Sequence, residues 1–319
     1  MKPFISICTP TFNRRPFIPY MIKCFEHQDY PKHLMEWIIV DDGSDKILDL
    51  VKHIPQVKYF PYDRRMLLGE KRNILNEKAS GEFIIYMDDD DYYPPCRVSH
   101  AVDMLLSNDK ALCSGSSIMY IYFKTLDKIY KFGPYGEKHS TAATFAFRKC
   151  LKDRKYDVNA AISEERSFLN NYTVPFVQLD PFKSILVFAH DHNSVNKYLL
   201  LNNAHPEFVK ETDLKVSQFI DDEDIRDFYM NRIGDLLKNY PLGKPEEKPE
   251  ALQQLDSRIK ENSINHSGIT IKIGSDPPRT LSIKEIINIL QEQHTQIIHL
   301  TELLKGKELE IQLLSELVK

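Results

Sequence analysis

At 319 residues, 42% of them apolar and 28% charged, the chain has room for one large domain with an appendage or for two domains. Its formal net charge of −4 lacks the basic footprint that a nucleic-acid partner leaves. The five cysteines, Cys8, Cys24, Cys96, Cys113 and Cys150, are odd in number and have no CxxC or Cys/His spacing, which argues against a disulfide framework or a zinc site and reads as reduced core thiols.

No apolar stretch is long enough to span a bilayer, and MKPFISICTP has too short an apolar run before Pro10 for a signal peptide. The expected compartment is the cytoplasm. In chain order, Phe4 to Cys8 reads as a short buried strand ending in the polar turn Thr9 to Arg14, and Pro16 suits the first turn of a helix whose apolar side carries Met21, Ile22 and Phe25. Trp37 to Val40 is a second strand, running straight into Asp41-Asp42-Gly43-Ser44-Asp45. Val57 to Phe60 predicts a third strand, and Gly69 to Ala79 a helix bearing Lys71 and Arg72, with Gly81 as its stop.

The stretch Glu82 to Pro95, EFIIYMDDDDYYPP, organises the rest. An apolar, β-prone run meets the carboxylates Asp88 to Asp91 and then Pro94-Pro95. Adjacent acids at the end of a buried strand repel one another, and some must protonate unless a cation sits among them. Oxygen ligands alone favour a hard divalent ion, Mg²⁺ or Mn²⁺, which shares its shell with substrate phosphates. Strands alternating with helices, with polar clusters at their carboxyl ends, predict an α/β fold with a largely parallel sheet, in which Thr9–Arg14, Asp41–Ser44 and Asp88–Asp91 line one crevice.

Further along, Ile118 to Phe123, Ala142 to Phe147 and Ile185 to Phe188 read as strands, and Ile162 to Leu169 as a helix. The last strand leads to His190-Asp191-His192-Asn193-Ser194. Ile225, Phe228, Tyr229, Ile233, Leu236 and Leu237 share one helical face. PLGKPEEKPE, residues 241–250, has little to bury and reads as a linker. Ile269 to Ile273 predicts a small strand, Asp276-Pro277-Pro278 a turn, and Ser282 with Glu285 a capping box. In the long helix that follows, Ile283, Ile286, Leu290, Ile297, Leu300, Leu304, Ile311, Leu314 and Val318 recur in steps of three and four, broken at Gln293 and Lys307, as in a coiled coil. The expected domains are 1–240, a linker and short helix at 241–262, and a strand element with a coiled-coil helix at 263–319.

With these pieces placed, the first 195 or so residues resemble the family 2 glycosyltransferases of GT-A fold, through ISICTPTFNR, WIIVDDGSD, GEKRN, ASGEFIIYMDDDD and a later SEER, in that order. The resemblance implies a GT-A, Rossmann-like domain holding a nucleotide sugar, a UDP-sugar by family habit, with Mn²⁺ or Mg²⁺. It carries base and ribose binding onto Thr9, Pro10, Thr11, Asp41 and Asp42. The DxD aspartates map onto Asp88 and Asp90, with Asp89 counted among the donor-binding residues and Asp90 and Asp91 as metal ligands. It implies His192 as a further metal ligand, Glu165 as the catalytic base and Glu164 as an acceptor-binding residue. A glutamate stands here where the family usually has an aspartate. Lys71 and Arg72 would add fixed positive charge for the departing diphosphate.

The function expected is an inverting, metal-dependent glycosyl transfer to a hydroxyl of a glycan or protein acceptor, by a homo-oligomer joined through its coiled coil. The alternative is an inactive scaffold of the same fold that assembles through that helix. A nucleotidyltransferase would want a glycine-rich phosphate loop near the N-terminus, and Thr9 to Arg14 contains no glycine.

Overall fold

The computed structural model describes residues 2–266, 269–272, 279–281 and 283–317, which fall into two units, Met1–Leu255 and Asp256–Lys319. The strands of the first unit, among the described residues, are β1 Ile5–Thr11, β2 Met35–Asp41, β3 Val57–Pro61, β4 Phe83–Tyr86, β5 Cys113–Gly115, β6 Met119–Phe123, β7 Lys128–Phe132, β8 Ala146–Arg148, β9 Phe176–Gln178, β10 Leu186–Ala189 and β11 Val209–Thr212. Seven of them form a sheet in the order β3-β2-β1-β4-β8-β5-β9, and four more a sheet in the order β10-β6-β7-β11.

The apolar runs of β1, β2 and β4 are buried along their whole length, as strands covered on both faces must be. Alternation divides them between two cores: Ile7, Trp37, Ile39 and Ile85 pack on one side with Phe17 and Phe25, and Cys8, Ile38, Val40, Ile84 and Tyr86 on the other with Leu75 and Phe147. The parallel register sets Thr11 opposite Asp41 and Cys8 opposite Tyr86, so the segments after β1, β2 and β4 leave the sheet at one edge. The helix expected at 69–79 spans Leu68–Lys78, beside that edge. The expected α/β fold with a mostly parallel central sheet is present; β8, however, is antiparallel to both β4 and β5.

Several elements depart from their sequence patterns. The helix expected at 162–169 shrinks to Glu165–Phe168, because Ser163, Asn170, Asn171 and Tyr172 all take positive φ and cut it at both ends. The face from Ile225 to Leu237 is interrupted by a π-helical segment, Phe228–Arg232; Leu237 is buried while Leu236 is 47% exposed. A helix not expected from the sequence spans Arg97–Leu106 after Pro94-Pro95, and its buried Val98, Ala101, Val102 and Leu105, at helical spacing, complete the core beneath β4. The cysteines are all free, but Cys150 is exposed rather than a core thiol.

Residues 241–250 are not a solvated linker. Within the first unit they are tied to distant segments by hydrogen bonds between Gly243 and Arg14, Glu247 and Asn13, and Lys248 and Ser194, partners that composition does not reveal. In the second unit, β12 Ile269–Ile271 pairs antiparallel with β13 Arg279–Leu281, and one helix spans Ile283–Leu317. Leu290, Leu300 and Leu304 are exposed on it. Ile273, the 276–278 turn, Ser282 and Val318 lie outside the described residues. No described helix is long and apolar enough to cross a membrane.

Candidate active site

The crevice is built where β1, β2 and β4 run out. Asn13 takes a left-handed conformation, φ 53°, to turn the chain after β1, and a Cβ on Gly43 would lie 2.5 Å from its amide nitrogen. Glycine at 43 is therefore what lets the two loops meet. Asp41 faces inward and organises its own loop, accepting from the Gly43 and Ile47 amides and the Tyr59 hydroxyl at 2.9, 3.2 and 2.6 Å. Asp42 faces the crevice, paired with Lys71 Nζ at 2.7 Å and accepting from the Met66 amide at 2.6 Å. Thr9 is a strut within the sheet: its hydroxyl donates to Met87 O and accepts from the Trp37 indole. Pro10 is buried, and the buried Thr11 hydroxyl has no hydrogen-bond partner among the described residues.

The aspartates diverge. Asp88 turns toward Arg72, whose Nη2 is 3.3 Å away and whose Nε donates to Glu164 at 2.5 Å. Burial works against the Arg72 charge, but Asp88 and Glu164 hold its pKa well above the usual value. Asp89 and Asp90 turn the other way, each 3.6 Å from the buried Arg14 guanidinium. Burial, with Asp90 beside it, pushes the Asp89 carboxyl up to about 7. Asp90 is held far below the carboxylate range, against burial, by His190 and then Arg14. Asp91 points back to β10, accepting from the Phe188 amide at 3.4 Å.

His190, rather than His192, stands against Asp90, with Nε2 at 3.3 Å. Burial lowers its pKa to about 4, so at neutral pH the imidazole is uncharged, and its Nδ1 accepts from the His192 amide at 3.2 Å. His192 Nε2 pairs instead with the Tyr240 carbonyl at 3.0 Å, and its own carbonyl accepts from Arg14 at 2.5 Å. Of the acidic pair, Glu164 is engaged by Arg72, and Glu165, 6% exposed, opens the short helix. Arg14 and His190 went unmarked in the sequence, although both sit inside stretches singled out there, TFNR and HDHNS.

A cavity of about 460 Å³ adjoins these groups, lined by Phe12, Asn13, Asp42, Asp63, Arg65 and Glu247 among others, a volume suited to a nucleoside. Among the described residues no three His, Cys, Asp or Glu side chains converge as a metal site.

The profile of the family described as Glycosyl transferase family 2 matches residues 6–163. An uncharacterized glycosyltransferase of Haemophilus influenzae is 29% identical over 119 residues, 36% of this chain and 47% of that protein. The GalNAc(5)-diNAcBac-PP-undecaprenol beta-1,3-glucosyltransferase of Campylobacter jejuni is 35% identical over 96 residues, 28% of this chain and 30% of that protein. The matched segments thus span less than half the length of these relatives. Among solved structures, Staphylococcus aureus TarS 1–349 in complex with UDP-GlcNAc is similar over 81% of this chain and 83% of its own, at 16% identity and a TM-score of 0.48.

Proposed function

We propose a reaction on the premise that the chain belongs to glycosyl transferase family 2, whose profile covers residues 6–163. The crevice binds a nucleotide-diphosphate sugar, UDP-sugars first, and passes the sugar to a hydroxyl of a glycan or protein acceptor with inversion. The observation that supports this most is the set of buried or nearly buried charges around a nucleoside-sized cavity: Asp42, which lines it, is paired with Lys71, and Arg14, next to the lining Asn13, stands between Asp89 and Asp90. Buried charge of both signs in a cleft is the mark of a site for a charged ligand.

In this reading Asp42 and the cavity hold the nucleoside, while Lys71 and Arg14 offer fixed positive charge where the diphosphate departs. Arg72 holds Asp88 and Glu164 in place at the sugar end. Glu165 takes the acceptor's proton as the acceptor oxygen bonds to the anomeric carbon and the bond to the diphosphate breaks. Asp90, with His190 beside it, would hold a divalent ion as a partial donor set rather than a closed protein cage. Bound there, Mn²⁺ or Mg²⁺ supplies Lewis acidity toward the departing diphosphate.

Calorimetry of UDP-sugars with and without Mn²⁺ tests this. Asp90→Ala is expected to remove the metal-dependent part of binding; unchanged binding sinks the metal assignment. We further infer that the Ile283–Leu317 helix joins a second copy, since Leu290, Ile297, Leu300 and Leu304, at 58 to 64% exposure, continue one heptad seam. Light scattering should give a multiple of the 37.3 kDa chain mass, and a monomer refutes the pairing.

A further inference from the structure

The segment from Gly243 to Gln254 lies beyond the family-matched residues, yet it is bound into the crevice. Arg14 Nη1 donates to Gly243 O at 2.8 Å, the Gly243 amide donates to Glu247 Oε1 at 2.7 Å, and Asn13 Nδ2 donates to Glu247 Oε2 at 3.1 Å. Farther along, Gln254 Oε1 accepts from the Ala161 amide at 3.0 Å. Gly243 has φ 78°, and a Cβ there would lie 2.3 Å from Asn13 O. The segment and the turn after β1 are thus interlocked around Asn13, with Gly43 on its other side.

This strap delivers Lys248. Its Nζ donates to Ser194 Oγ at 2.7 Å and lies 5.5 Å from the centre of the Phe12 ring, the same ring that Lys71 Nζ approaches at 5.6 Å. Lys71 has Asp42 as a partner, and Arg14 has Asp89 and Asp90. Among the described residues Lys248 has a hydroxyl but no carboxylate within ion-pair distance. Burial, then the repulsion of Arg14 and Lys71, pushes its pKa well below the ordinary lysine value. Ammonium and guanidinium groups crowded in a dry cleft are costly alone and favourable around an anion.

On the reading of the crevice as a nucleotide-sugar site, we infer that Lys248 is a donor-binding residue: its ammonium meets the diphosphate opposite Lys71, while Glu247 walls the nucleoside end of the cavity. The donor site of this chain is therefore completed by a segment outside the family-matched region. A lysine serves phosphate well as a mobile point charge, and its attraction strengthens as negative charge grows on the departing group.

The test is titration calorimetry of the full chain with uridine, UMP and UDP in the presence of Mn²⁺. Lys248→Met should weaken UDP binding by roughly tenfold to a hundredfold, the worth of a hydrogen bond to a charged group. It should leave uridine affinity unchanged, and Lys248→Arg should restore most of the UDP affinity. Equal UDP affinity in Lys248→Met and wild type overturns the inference alone, as does a parallel loss of uridine and UDP, which would make Lys248 a packing residue. Failure of the wild-type chain to bind UDP, GDP or dTDP at all overturns the donor-site reading together with it.

Discussion

The two sides of the Asp88–Asp91 run are neutralised in different ways. On one side Arg72, 1% exposed, bridges Glu164 at 2.5 Å and Asp88 at 3.3 Å and lies over the Tyr86 ring at 4.4 Å. On the other, Arg14 stands 3.6 Å from both Asp89 and Asp90, beyond hydrogen-bond length, with its N–H groups aimed at the carbonyls of His192 and Gly243. The Arg72 set is closed by direct ion pairs, although its buried Nη1 has no hydrogen-bond partner among the described residues. The Arg14 set is open, and its charges are held by backbone in a position to receive something else. A buried ion set paired by direct contact serves the frame, whereas one held short of contact beside a cavity serves a ligand.

That contrast breaks or sharpens under substitution. The largest effect should come from Glu165→Gln, next to the closed set. Donor affinity should persist while turnover falls roughly 10²- to 10⁴-fold, the worth of a general base; normal turnover assigns the base elsewhere. Next comes Arg72→Met, which leaves buried Glu164 and half-buried Asp88 without a counter-charge and should cost about 3–5 kcal/mol in urea unfolding. If Arg14→Met costs as much stability as Arg72→Met, the distinction between frame and ligand site is wrong. The smallest effect concerns Glu36, a closed set at the other end of the sheet. There Lys58, Ser6 and Ser80 outweigh burial and hold the carboxyl below its ordinary pKa. A lowered folded pKa gives stability that is present above the unfolded value and lost as pH falls through the folded one. The Tm advantage of wild type over Glu36→Gln should therefore shrink between about pH 5 and pH 3; a constant difference would mean the charge contributes nothing.

Much of the N-terminal half was legible because its signals are local. Ile5–Thr11, Met35–Asp41 and Phe83–Tyr86 announce themselves as unbroken apolar runs, and a strand buried on both faces must look like that. The polar residues directly after those runs had to meet at one edge once the sheet was parallel. Less legible was which way each side chain turns. Asp41 and Asp42 are neighbours of identical chemistry, yet one organises its loop and the other faces the crevice. Likewise, nothing in HDHNS favours His190 over His192; their difference lies in the Tyr240 carbonyl, 48 residues further along, which engages His192.

The amino-acid order alone determined the positions of β1 to β4, the acid-rich ends and the family resemblance, since each depends on residues a few places apart. Only the tertiary structure decided that Arg14 would lie between two aspartates, that β8 would enter the sheet antiparallel, and that a proline-rich stretch near residue 245 would reach back to Asn13. Those outcomes rest on contacts between distant segments. Their energy comes from burial and hydrogen bonding available only after the chain has closed on itself, so no local pattern records them.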